Sequence, residues 1–156
     1  MPLHEVPVYP PRPAEYRIEK NTVIIKRNKD AIEKLFSVLD VDKKTWRKYI
    51  LPVIKGLAEY MQNLPASEYD HHRHPGGLYE HSIDVAIHAI QILDQEGYML
   101  ESICYEDGDV KRTALAVNSC RIAVALAALL HDFGKLIYDY EVIEGVAVRN
   151  RVHFVV

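Results

Sequence analysis

The stretch NLPASEYDHHRHPGGLYEHSIDVAIHAI, residues 63–90, holds five of the eight histidines in this 156-residue chain. They are His71, His72, His74, His81 and His88. Leu64-Pro65-Ala66-Ser67 is a turn signal, and Gly76-Gly77 permits a tight turn. From Leu78 onward, LYEHSIDVAIHAIQILDQ reads as a helix. On it, Asp84 lies about one turn from His81, and His88 lies two turns on, near the same face. At roughly 10 Å along the axis, His88 is too far from His81 to share an ion with it. His72 precedes the glycine turn that reverses the chain towards His81, so His72 is the histidine expected beside it.

Outward from this stretch, the remaining elements are mostly helical. Asp30 looks like a helix start, with an apolar stripe at Ile32, Leu35, Phe36 and Leu39. A second helix is expected over residues 44–62, with Pro52 kinking it or marking a later start. KRTALAVNSCRIAVALAALLHD, residues 111–132, reads as a long helix, nearly all apolar from Ile122 to Leu130, which places it in a core. TVIIK (22–26) is short and β-branched and suggests a brief strand. The last part alternates and is rich in Val, suggesting a β-hairpin around Glu144-Gly145. The expected fold is therefore all-α, a helical bundle with a short strand or hairpin at its C-terminal end. Prolines at 7, 10, 11 and 13 mark residues 1–15 as an extended arm, leaving 16–156 as the helical domain.

Composition narrows the function. Apolar residues make up 49%, enough for a core, and a net charge of −3 does not advertise nucleic acid through bulk electrostatics. A nucleic-acid binder of this kind needs a local basic groove or a metal. The basic stretch RIEKNTVIIKRNK reads first as a solvated face. Two cysteines, Cys104 and Cys120, make no disulfide framework. Without a signal-peptide pattern or a run of about 18 apolar residues, a cytoplasmic domain with no membrane span is expected.

The second motif is LLHDFGK. Its His131 and Asp132 close a buried apolar run, and an imidazole beside a carboxylate there is costly unless compensated. A divalent metal supplies that compensation, and this donor set suits Mn, Fe, Zn or Ni. The plainer alternatives are a capped helix end for His131-Asp132, a polar surface loop for His71, His72 and His74, and a surface lysine for Lys135. His4, His88 and His153 read as ordinary surface or partly buried histidines.

Taken in order, His81 and then His131-Asp132 with a trailing Gly-Lys resembles the HD metal-dependent phosphohydrolase superfamily. The resemblance implies an all-helical fold, one or two divalent ions and phosphate-ester cleavage. More narrowly, Pro65-Ala66-Ser67, His71-His72, Gly76-Gly77-Leu78 and His81-Ser82 resemble the signature of the MobH-type conjugative relaxases, the HD-fold DNA-nicking proteins of integrative conjugative elements and some plasmids. HD-domain 3′–5′ exoribonucleases carry a related His-His and Gly-Gly-Leu pattern. The resemblance covers about residues 64–140.

It implies His81, His131 and Asp132 as metal ligands, with His72 at the same or a second ion. His71 and His74 orient water or touch phosphate, Lys135 contacts phosphate, and Asp84 holds a ligating imidazole through its other N–H. Gly76 and Gly77 let the backbone pass close to substrate. The implied partners are DNA, single-stranded or carrying a transfer origin, and other conjugation proteins. HD proteins carry a further metal-binding Asp well beyond the His-Asp pair, whereas the only aspartate after Asp132 is Asp139. The domain is therefore expected to be incomplete at its C-terminal end. Beside the relaxase stand two alternatives: an HD phosphohydrolase or exoribonuclease, and a non-catalytic module that binds nucleic acid or a partner.

Overall fold

Residues 22–26, expected as a brief strand, are helical. The computed structural model describes residues 19–67, 72, 74–97, 102, 109–143 and 146–149. In it Asn21–Arg27 form α1, which buries Ile24 completely. Tertiary contacts override β-propensity here. Ile24 joins the core, and Arg27 reaches Asn63 Oδ1 at 2.9 Å and Glu19 Oε2 at 2.7 Å, tying α1 to the loop after α4.

The helix α2 spans Lys29–Leu39. A helical turn follows at Lys43–Thr45 (α3), where the Asp42 carboxylate accepts from the Lys44 and Thr45 amides. Trp46–Ile50 widen into a π-helical turn, and α4 runs Leu51–Met61. Proline explains the wide turn. A Pro at position 52 has no N–H to donate and would crowd the carbonyl four residues back in a regular helix. It therefore sits in the first turn of α4, where the missing donor costs nothing. Trp46 meets the edge of Phe36 on α2, with ring centroids 5.0 Å apart.

Two long helices make the centre: α5, Gly77–Gln95, and α6, Val110–Leu130. α5 packs most extensively on α6 and next on α2, while α1 lies against α4. Leu78, Tyr79, Ser82, Ile83, Ala86, Ile87 and Ile90 recur at helical spacing and are buried. Full burial of each large aliphatic side chain contributes about 1.5–3 kcal/mol. The other face of α5 presents Glu80, His81, Asp84 and His88, none of them buried. Arg121 fastens α6 across the bundle. Its guanidinium donates to the Val38 carbonyl at 2.8 Å, at the C-terminal end of α2, and pairs with Asp94 near the end of α5.

α6 differs from its expected place at the centre of a core. Ala125, Ala128 and Leu129 are buried, but Ala114, Leu115, Ala123, Ala127 and Leu130 are exposed. Only one side faces α5, and among the described residues nothing covers the other. The continuous stretch Val110–Tyr138 is long and apolar enough, by length and composition alone, to cross a membrane. Its Ala125, Ala128 and Leu129 are members of the helical core.

A turn at residues 131–134 leads to the short helix α7, Lys135–Tyr138. The chain then forms an antiparallel pair, β1 (Tyr140–Ile143) and β2 (Val146–Arg149), with Ile143 opposite Val146. The molecule is an all-α bundle carrying one small hairpin, as expected. The hairpin's turn and the arm at residues 1–15 lie outside the described residues.

Candidate metal centre

The loop between α4 and α5 is held by backbone bonds that leave little choice of path. The Leu78 amide donates to the Leu64 carbonyl at 2.9 Å, Ala66 N–H to His72 O at 3.0 Å, and Gly77 N–H to His74 O at 2.9 Å. His72 has φ of +59° and Gly76 +84°. The left-handed region suits glycine, but a histidine there is uncommon and needs its surroundings to hold it. Those surroundings include Gly77. A Cβ on Gly77 would lie 1.8 Å from the His72 carbonyl oxygen. The close approach expected at the Gly-Gly pair is thus made by His72's own backbone.

The result is a row of imidazoles above the start of α5. Ring centroids lie 6.1 Å apart from His74 to His72, 5.3 Å from His72 to His81, and 5.2 Å from His81 to His131. His131 arrives from the end of α6, fifty residues after His81. Its Nδ1 lies 2.7 Å from the Ala128 carbonyl oxygen. That oxygen accepts only, so Nδ1 donates to it and Nε2 is the nitrogen turned towards the cluster.

Asp132 is the hub. Its Oδ2 is 3.3 Å from His131 Nε2, 3.6 Å from His81 Nε2 and 2.5 Å from Lys135 Nζ. Lys135 also donates to the Ala66 carbonyl at 3.2 Å, joining α7 to the α4–α5 loop. Burial is the main influence on His81 and holds its pKa below the ordinary 6.5. Asp132 opposes that shift, while the positive potentials of His131, His72 and Lys135 add to it. A neutral imidazole is the form that ligates a metal.

The donor set fits a divalent ion. One ligand atom from each of His81, His131 and Asp132 lies within 4.8 Å of the other two. Atoms each about 2.1 Å from one ion stand about 3–4 Å from one another. His72, His81, His131, Asp132 and Lys135 therefore lie together.

His74 sits one ring further out, its Nε2 facing Glu80 Oε2 at 3.1 Å. Asp84 is beside His72, 3.5 Å from Nε2. His88 is exposed. His71 lies outside the described residues. The Asp139 amide caps α7 by donating to the Lys135 carbonyl, and Asp139 belongs to neither His–carboxylate cluster among the described residues.

Sequence reasoning missed Glu80. It precedes Asp84 by four positions, so the two share one face of α5, and that spacing was the available signal.

A family model matches residues 16–146, most of the chain, and its description is "Putative helicase". The chain belongs to this TraI_2 family. The family is conjugation-related. No curated protein and no solved structure matches. The 156 residues of this TraI_2 chain contain no G-x-x-x-x-G-K-[ST] phosphate loop.

Proposed function

We propose that this TraI_2 domain is a metal-dependent phosphodiesterase of the HD type that nicks one DNA strand, serving as a MobH-type relaxase domain in conjugation. The observation that carries the reading is the convergence of His81 on α5 with His131 and Asp132, fifty residues later at the end of α6. A bound Mn, Fe, Zn or Ni ion supplies charge neutralisation at the phosphodiester and lowers the pKa of water.

The chain's residues do the rest. His131 is held in one tautomer by the Ala128 carbonyl, so its Nε2 is aimed before any ligand arrives. Asp132 contributes the anionic oxygen. Lys135, now shared between Asp132 and the Ala66 carbonyl, is placed to turn its ammonium to a phosphate oxygen. His72 extends the imidazole row towards the loop as a ligand of the same or a second ion, with Asp84 at its Nε2. His74 and His71 are the remaining loop histidines assigned to water or phosphate.

The test is cleavage of supercoiled plasmid carrying a transfer origin, with each metal added in turn. The expected product is a nicked circle, falling at least about 100-fold with Asp132→Asn. Shortening of RNA from its 3′ end would assign the site to an exoribonuclease. DNA retained without cleavage under every metal would make the domain a non-catalytic binding module.

A further inference from the structure

His72, His74 and Glu80 form a second cluster, in which one ligand atom from each residue lies within 4.8 Å of the other two. It is distinct from the His81–His131–Asp132 set in every member. His74 Nδ1 is 3.2 Å from the Pro75 carbonyl oxygen, which accepts only, so this nitrogen carries the ring's proton. The other nitrogen, Nε2, faces the Glu80 carboxylate 3.1 Å away. At that separation the imidazole nitrogen and a carboxylate oxygen can both reach one ion, since ligand atoms about 2.1 Å from a metal stand about 3–4 Å from one another.

His72 completes the set at a fixed place. Its left-handed backbone, the Ala66-to-His72 hydrogen bond and the missing side chain at Gly77 together hold it against α5. Strain of this kind in a non-glycine residue persists where the surroundings over-determine it.

We propose that His72, His74 and Glu80 bind a second divalent cation at the rim of the imidazole row, separate from the ion of the His81–His131–Asp132 centre. Two imidazoles and one carboxylate select a borderline ion such as Zn, Co or Ni. His74 and Glu80 are partly open to solvent, at 53% and 39% side-chain exposure, leaving coordination positions for water or a phosphate oxygen. The ion ties the α4–α5 loop to the first turn of α5. This proposal stands independently of the function assigned to the inner centre.

The experiment is equilibrium dialysis of the full chain against Zn²⁺, with bound metal measured by elemental analysis. The wild type, Glu80→Gln, His74→Ala, Asp132→Asn and His88→Ala are compared, with folding checked by circular dichroism. The expected result is two equivalents in the wild type and in His88→Ala. Glu80→Gln and His74→Ala each lose one, and Asp132→Asn loses the other. Two equivalents retained in both Glu80→Gln and His74→Ala would overturn the rim site and leave the inner centre standing. So would a single wild-type equivalent that survives Glu80→Gln. A single equivalent lost in Glu80→Gln but kept in Asp132→Asn would support the rim site and remove the inner one. No bound metal would overturn both.

Discussion

Nε2 of His81 lies 3.6 Å from Oδ2 of Asp132, and burial holds the His81 ring neutral to lower pH than a free imidazole. The unfolded chain therefore takes up a proton near pH 6.5 that the folded chain resists. By linkage, the folded state loses stability as pH falls below about 6.5 through the depressed folded value. Urea midpoints of metal-free protein should drop between about pH 7.5 and about pH 5.5. They should drop less in His81→Gln, which has no imidazole to titrate. An equal drop in the variant would show that His81 does not carry the effect.

Metal binding should stabilise the fold, because the ligands are assembled only when α5 and α6 are packed. At free metal about 100-fold above Kd, one site adds about 2.7 kcal/mol. For a domain of this size that raises Tm by roughly 5–10 °C. Differential scanning fluorimetry with Mn²⁺, Zn²⁺ and Ni²⁺ measures it. His131→Ala should lose the increment assigned to the inner centre, and an unchanged increment would place that ion elsewhere.

Gly77→Ala should be among the most damaging single-methyl changes in the chain. The new Cβ would meet backbone, the His72 carbonyl oxygen, which cannot rotate away. Overpacking of this kind costs about 1–3 kcal/mol. Because the displaced group carries His72, metal affinity should fall along with stability. Denaturant unfolding and a metal titration on the same preparation read both. Normal stability would show that the loop has room the structure denies it.

Tyr79→Phe should have the opposite sign. Tyr79 is fully buried on α5, its hydroxyl has no hydrogen-bond partner among the described residues, and burial raises its pKa strongly. Removing the hydroxyl relieves a desolvated polar group and should raise stability by about 1 kcal/mol, read as a higher urea midpoint. Nicking should be unaffected, because a buried, protonated phenol is a poor nucleophile. Among the described tyrosines, Tyr49, Tyr60 and Tyr138 are exposed instead.

Local periodicity and chemistry were enough to determine the helical stripes of α2 and α5, the glycine turn and the terminal hairpin, while the meeting of His81 with His131-Asp132 was implied by the resemblance to HD proteins. Each of those signals is carried by residues near one another in sequence or by a motif of fixed spacing. Three features depended on tertiary structure. TVIIK became helix α1 because Ile24 had a core to enter and Arg27 had Asn63 to reach, contacts that β-propensity does not contain. The apolar residues of α6 divided into a buried and an exposed side because only one side faces α5. Glu80 joined His72 and His74 because a left-handed histidine and a glycine without a Cβ fold the loop back over the first turn of α5. A sequence states which groups are available. Which of them share a few cubic ångströms is set by the path of the backbone between them, and here that path turns on the close approach of His72 and Gly77.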